Sequence, residues 1–254
     1  MTRIIMSGCG GAMGRSITEI VARDEEAEIV AGIDLVDDGT KSYPVFAALK
    51  DCNVEADVLI DFSTPKILDD ILAYCEEKGM PAVLCTTGYD ESQLEKIEKA
   101  SEKMAVLKSA NMSLGINTLM HLVQEAAKVL AAEGFDVEIV EKHHNQKLDA
   151  PSGTALALAD SVNEAMEGQY EYVFDRSQRR QKRDKKELGI SAVRGGTIVG
   201  EHDVIFAGTD EVVTFSHTAY SKAVFGKGAV AAAKFLKGKK SGRFEMADVI
   251  AGAE

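Results

Sequence analysis

The first 34 residues run from an apolar, β-branched stretch (Arg3–Ser7) through a glycine turn into an amphipathic stretch and back to an apolar run, Glu28–Ile33. Few folds accept that order. The turn reads Gly8-Cys9-Gly10-Gly11-Ala12-Met13-Gly14, and Met13, Ile17, Ile20 and Val21 then recur at helical spacing. Asp34 closes the second apolar run, twenty residues beyond Gly14. Glycines between a strand and a helix let the backbone approach a pyrophosphate, while an acidic residue ending the next strand meets ribose hydroxyls. The spacing departs from the usual fingerprint, being G-x-G-x-x-x-G or equally G-x-x-G-x-x-G. An ordinary tight turn is the competing reading, and the strand before, the helix after and Asp34 together favour dinucleotide binding.

The alternation continues. Asp57–Phe62 reads as a buried strand, Ser63-Thr64-Pro65 starts a helix reaching Lys78, and Ala82–Cys85 is the next strand. Thr86-Thr87-Gly88 leads to a charged helix over Glu91–Lys103, and Ala105–Lys108 is a fifth strand followed by Ser109-Ala110-Asn111-Met112. Strands alternating with helices predict a parallel sheet with right-handed crossovers. Ligands of such sheets lie beyond the carboxyl ends of the strands, which places Cys85, Thr86, Thr87 and Ser109–Met112 at the cofactor side.

Beyond Leu114 the pattern changes. Ile116, Leu119, Met120, Val123, Ala127 and Leu130 mark one face of a long helix, and Phe135–Glu141 alternates at period two before ending at His143. After a helix over Ala155–Met166 come strand-like runs at 170–174, 190–193, 198–199, 203–206 and 212–216, with Gly195-Gly196 and Gly208-Thr209-Asp210 as hairpin-like turn signals. A mixed or antiparallel sheet is expected, with one face free to pair with copies of itself. Ala223–Leu236 reads as a small-residue helix, and the apolar tail 244–250 is placed to return to the first domain. The fold expected is therefore α/β: an N-terminal Rossmann-like parallel-sheet domain (1–111 plus 224–254) and a second, α+β domain (112–223).

Composition removes several function classes. Lys+Arg 29 against Asp+Glu 41 gives a net charge of −12, which disfavours nucleic acid as a partner. No apolar run is long enough for a bilayer and no signal-peptide pattern opens the chain, so a cytoplasmic location is expected. Four cysteines lack CxxC spacing, so neither a zinc knuckle nor a disulfide framework is expected, and no metal is assigned. One basic cluster, Arg176–Lys186, reads as a solvated, mobile loop or as a device for steering a dianion.

The densest chemistry lies in 141–155, Glu-Lys-His-His-Asn-Gln-Lys-Leu-Asp-Ala-Pro-Ser-Gly-Thr-Ala. Histidine exchanges protons near neutrality, and a Ser-Gly-Thr helix start aims N–H groups and a positive dipole end at an anion. Proton donor beside anion cradle suits reduction of a small dicarboxylate. The alternatives are a polar strand-to-helix loop, an NAD(P)H-dependent reductase of another small dicarboxylate, a non-catalytic nucleotide sensor, and a metal hydrolase using His143, His144 and His202. The last is disfavoured because adjacent strand residues face opposite sides.

Taken with Asp61-Phe62-Ser63 and Pro65, Thr86-Thr87-Gly88, Ala110–Ser113 and Val199–His202, these motifs resemble the dihydrodipicolinate reductase family over essentially the whole chain. The resemblance implies hydride transfer from NAD(P)H to 4-hydroxy-tetrahydrodipicolinate, a homotetramer, and a place in diaminopimelate and lysine biosynthesis. It puts Gly8, Cys9, Gly10, Gly11, Ala12, Met13, Asp34, Cys85, Thr86, Thr87, Ser109, Ala110, Asn111 and Met112 at the cofactor. His143 and Lys147 fall at the family's proton-donor positions, and His144, Gly153 and Thr154 at its substrate positions. Ser152 is expected to cap the helix, with Glu141 and His202 orienting neighbours. Departures are Cys85 for a usual Gly, Met112 for Phe and Lys222 for Arg. Leu35 and Val36 follow Asp34, so no arginine receives a 2′-phosphate, and NADH is the expected cofactor over a possible NADPH.

Overall fold

In the computed structural model, which describes residues 1–109 and 111–252, the chain forms two compact units: Met1–Leu114 with Ala223–Glu254, and Gly115–Lys222. The first unit is built on a seven-stranded sheet whose paired neighbours are all parallel. Its strands are β1 (Thr2–Ser7), β2 (Ala27–Ile33), β3 (Val45–Phe46), β4 (Val58–Asp61), β5 (Ala82–Leu84), β6 (Ala105–Leu107) and, from the chain's end, Gly242–Phe244. That terminal strand pairs with β6, so the sheet order is Gly242–Phe244, β6, β5, β4, β1, β2, β3.

Helices cover both faces. On one side lie α1 (Ala12–Val21), the small-residue helix Ala223–Leu236 and the short helix Met246–Ala251; on the other lie Leu68–Lys78 and Glu91–Ser101. Alternate β1 residues feed the two layers, with Ile4 and Met6 in one and Ile5 in the other, all fully buried. Asp90 caps the Glu91–Ser101 helix through a capping box with Gln93. Two strands escaped the sequence reading: Val45–Phe46 is too short to show a period, and Gly242–Phe244 hides in a glycine-containing segment. The short tail helix follows that strand.

The second unit carries a five-stranded mixed sheet. In chain order its strands are β7 (Asp136–His143), β8 (Glu171–Val173), β9 (Glu187–Arg194), β10 (Gly200–Ala207) and β11 (Val212–Ala219), arranged β11-β10-β7-β9-β8. β7 is central, parallel to β9 and antiparallel to β10. The hairpin-like reading around Gly195-Gly196 is therefore corrected. β9 and β10 are not partners but flank β7, and the Gly195 N–H is held by the His143 carbonyl at 2.9 Å. Residues 198–199, expected as a strand, lie in that crossing loop.

One face of this sheet packs against the helix Gly153–Ala165 and the long helix that begins at Leu114. Val137, Ile139, Leu188, Ile190, Val204 and Phe206 meet Ala155, Leu158, Ala159 and Val162 there. The basic cluster is only partly solvated. Arg176 bridges Glu138 (2.8 Å) and Glu187 (2.9 Å), and Arg183 reaches Glu138 (2.9 Å) and Asp136 (2.8 Å). Carboxylates on β7 and β9 have drawn these arginines onto the sheet, whereas Arg180, Lys182, Lys185 and Lys186 stay exposed.

Candidate active site

Two sets of residues, one on each unit, carry the chemistry read from the sequence. On the first unit the turn after β1 is shaped by glycine. Gly8 sits at φ +78°, and a Cβ there would run into the Phe62 carbonyl. A Cβ on Gly14 would strike the Gly8 carbonyl, so this glycine lets α1 start directly against the turn. Gly11 is the N-cap of α1 and brings no side-chain cap, which leaves first-turn N–H groups for a ligand anion.

Beside this turn is a cavity of about 310 Å³ lined by Gly8, Gly11, Asp34, Leu35, Phe62 and Ser63 among others. Asp34 Oδ2 accepts the Gly10 N–H at 2.9 Å, tying the end of β2 to the glycine turn. Ala12 is exposed and Met13 half-buried at the start of α1. Cys9 points the other way, with its sulfur buried against Gly32, so only its backbone can serve a ligand.

The turns after β4 and β5 are joined by Asp61. This fully buried carboxyl accepts Thr86 Oγ1 at 2.6 Å and also the Ser63 hydroxyl, and burial pushes it above the usual carboxylate range. Cys85 is partly buried next to it, its thiol raised well above the ordinary value by burial and then by Asp61, so it is not a thiolate. Thr87 is exposed. After β6, Ser109 is half-buried, Met112 is buried and Asn111 Oδ1 accepts the Ser113 N–H at 2.8 Å; Ala110 lies outside the described residues. Gly228 makes room for this turn, since a Cβ there would collide with the Met112 carbonyl. Sequence reasoning gave no role to Asp61, Phe62 or Gly228; the first two were visible as a motif, the last was not.

On the second unit, β7 ends at His143 with alternating burial, so Glu141 and His143 share the face toward the Gly153–Ala165 helix. Lys142 points to the opposite face and pairs with Glu201 at 2.9 Å. His202 on β10 is directly opposite Glu141, and its ring lies 5.2 Å from that of His143 in an edge-on arrangement. Burial above all, then His143, depresses His202 to about 4, which keeps it neutral. Its Nε2 lies 3.1 Å from Ser152 Oγ, and Ser152 caps the helix by accepting the Ala155 N–H at 3.1 Å.

Glu141 is the centre of this cluster. Its Oε1 accepts the Ser152 N–H (2.9 Å) and Arg194 Nη2 (2.7 Å). Its Oε2 accepts Arg194 Nη1 (2.7 Å) and lies 2.6 Å from His143 Nδ1. Lys147 pairs with Asp149 at 2.8 Å, and its N–H is held by the His144 carbonyl at 3.2 Å. Gly153 is exposed, with His144 and Thr154 half-buried, around the start of the helix. Arg194, which binds Glu141 with both guanidinium ends, was missed entirely, for nothing in its local sequence marks it.

Models of two family segments match almost the full length. "Dihydrodipicolinate reductase, N-terminus" covers residues 2–112 and "Dihydrodipicolinate reductase, C-terminus" covers 115–250. This chain belongs to the dihydrodipicolinate reductase family. A 4-hydroxy-tetrahydrodipicolinate reductase of Caldanaerobacter subterraneus subsp. tengcongensis is 50% identical over 250 residues, 98% of each chain. Its counterpart in Clostridium novyi is 47% identical over 251 residues, again 98% of each. Among solved structures, a dipicolinate-bound dihydrodipicolinate reductase from Paenisporosarcina sp. TG-14 is similar with TM-score 0.81 and 25% identity, covering 96% of this chain and 97% of that one.

Proposed function

We propose that this chain reduces 4-hydroxy-tetrahydrodipicolinate to tetrahydrodipicolinate with a reduced nicotinamide dinucleotide, in diaminopimelate and lysine biosynthesis. The observation that carries this reading is the second unit's cluster, in which a histidine anchored by a buried carboxylate shares one short segment with a lysine and a Ser-capped helix start. The Paenisporosarcina relative named above is bound to dipicolinate, a planar ring bearing two carboxylates, which is the chemistry such a helix start accommodates.

The first unit fits a dinucleotide. Gly8 and Gly14 let the turn and the start of α1 pack closely on one another, and uncapped α1 offers N–H groups to a pyrophosphate. Asp34 faces the cavity where ribose hydroxyls would bond, and the residues Gly8–Met13, Cys85–Thr87 and Ser109–Met112 complete the cofactor set. When bound, the reduced nicotinamide supplies the hydride.

The chain's own side chains handle charge and protons. His143 gives the proton that quenches the negative charge developing in the substrate ring. Lys147, released from Asp149, stabilises that charge and is a second donor. Gly153 and Thr154 hold a substrate carboxylate at the helix start, and His144 completes the anion site. Asp34 would repel a 2′-phosphate and neither Leu35 nor Val36 offers a cation, so NADH is preferred over NADPH. We also read the working form as a cytoplasmic homotetramer; Val193 and Val212, exposed on the five-stranded sheet, support self-association.

The test follows loss of reduced-nicotinamide absorbance while the preceding synthase generates the unstable substrate in place. Turnover with kcat/KM higher for NADH than for NADPH is expected. Binding of NADH without turnover defeats the reductase reading, and a higher kcat/KM with NADPH defeats the cofactor assignment.

A further inference from the structure

Glu141 has no part in the chemistry proposed above, yet it is fully buried and engages four nitrogen groups with two oxygens. Three of these, the two Arg194 nitrogens and the Ser152 amide, can only donate. Burial favours the neutral acid, but Arg194, His143 and the Ser152 N–H outweigh it and hold the carboxyl below its usual range. An ionised carboxylate accepts and cannot donate. The contact at 2.6 Å is therefore Nδ1–H of His143 donating to Glu141 Oε2.

We propose that Glu141 is the positioning residue of this site, fixing the His143 tautomer so that Nε2 is the nitrogen that exchanges the proton with substrate. The proposal rests on the reading of His143 as proton donor.

Space at Nε2 is consistent with that role. A Cβ on Gly200 would approach Nε2 to 3.0 Å, so glycine at the start of β10 keeps that side of the ring uncrowded. The same carboxylate also sets where the ring stands. Arg194, gripped by Glu141, donates from Nη2 to the Asp149 carbonyl at 2.6 Å, and Glu141 itself takes the Ser152 N–H. Both ends of the turn 149–152 are thereby held by one anion. His143 and the helix start that would bind a substrate carboxylate are kept in register by it.

Glu141→Gln is the discriminating variant. An amide keeps the shape but presents one acceptor oxygen, so its NH2 must face either Arg194 with Ser152 or Arg194 with His143. Arg194 meets the NH2 in either orientation, but of the other two donors only the imidazole can become an acceptor, by moving its proton from Nδ1 to Nε2, so the NH2 turns toward His143. Long-range ¹⁵N–¹H correlation spectra of histidine-labelled protein read this directly. Wild type is expected to show neutral His143 protonated at Nδ1, and the variant protonated at Nε2. With it, kcat should fall by about 10²-fold or more while the Kd for NADH holds. The wild-type ring takes a solvent proton on Nε2, gives it to substrate as an imidazolium and returns to its Nδ1–H form. The variant ring, faced by an amide NH2 at Nδ1, cannot take a second proton there and could lose its Nε2 proton only as an imidazolate. In a His143→Ala background the same change should cost less than about threefold, since the residue acts through the imidazole.

A neutral wild-type ring protonated at Nε2 overturns the proposal even if the variant does not fold. An unchanged tautomer and kcat in Glu141→Gln, or losses that simply multiply in the double variant, also overturn it. Wild-type kcat in His143→Ala alone would instead defeat the proton-donor reading, with the tautomer spectra still deciding whether Glu141 controls the ring.

Discussion

Acidification should unfold this protein partly through one side chain. His202 is 4% exposed and its folded-state value lies near 4, against 6.5 for an ordinary histidine. As pH falls below 6.5 the unfolded chain takes up a proton that the folded chain refuses, so stability present near neutrality is lost progressively down to about 4. A depression of about 2.5 units corresponds to roughly 3 kcal/mol, of which about 2 kcal/mol is gone by about pH 5. His202→Gln preserves a polar atom near Ser152 but does not titrate. Urea unfolding of both proteins across this range isolates the effect of position 202 and its immediate neighbours, because distant groups cancel in the difference. The wild type should lose about 3 kcal/mol relative to His202→Gln between about pH 7 and pH 4. A difference independent of pH would show that His202 is not held neutral. It would also undo the view that His143 has an uncharged neighbour 5.2 Å away.

Three further outcomes follow from the geometry. Gly14→Ala should weaken NADH binding at least tenfold and lower stability by about 1–3 kcal/mol, because its Cβ meets the Gly8 carbonyl; calorimetry and NADH titration measure both. Thr154→Ala should raise the substrate KM several-fold with kcat nearly unchanged, as expected when a uniformly binding contact is lost. Asp149→Asn frees Lys147 from its 2.8 Å ion pair and should lower the substrate KM by about two- to fivefold, the modest scale of an exposed pair.

Local pattern made much of the fold legible. The apolar runs of β1, β2, β4, β5 and β6 and the helices between them announce a parallel sheet, and period-two alternation marks β7 up to His143. Where pairing is non-local, sequence spacing misled. β9 and β10 stand a hairpin's length apart, yet each pairs with β7, whose alternating inward face makes it the centre of the sheet. The Arg176–Lys186 cluster looked solvated because its acceptors, Glu138 on β7 and Glu187 on β9, are joined to it only through tertiary structure. The site followed the same division. His143, Lys147 and Ser152 sit within one short segment and declare themselves. Arg194 reaches Glu141 across 53 positions, and no local signal foretells that contact. Asp61 was visible as part of a motif, but its hold on Thr86 is not written in either turn alone.

The most direct test of the account is kcat for His143→Ala at saturating NADH, measured beside its Kd for NADH. Removing a positioned proton donor should reduce kcat by about 10²–10⁴-fold and leave the Kd within about twofold of wild type. A kcat equal to wild type would contradict the assignment of His143 on which the reductase chemistry of this chain is built.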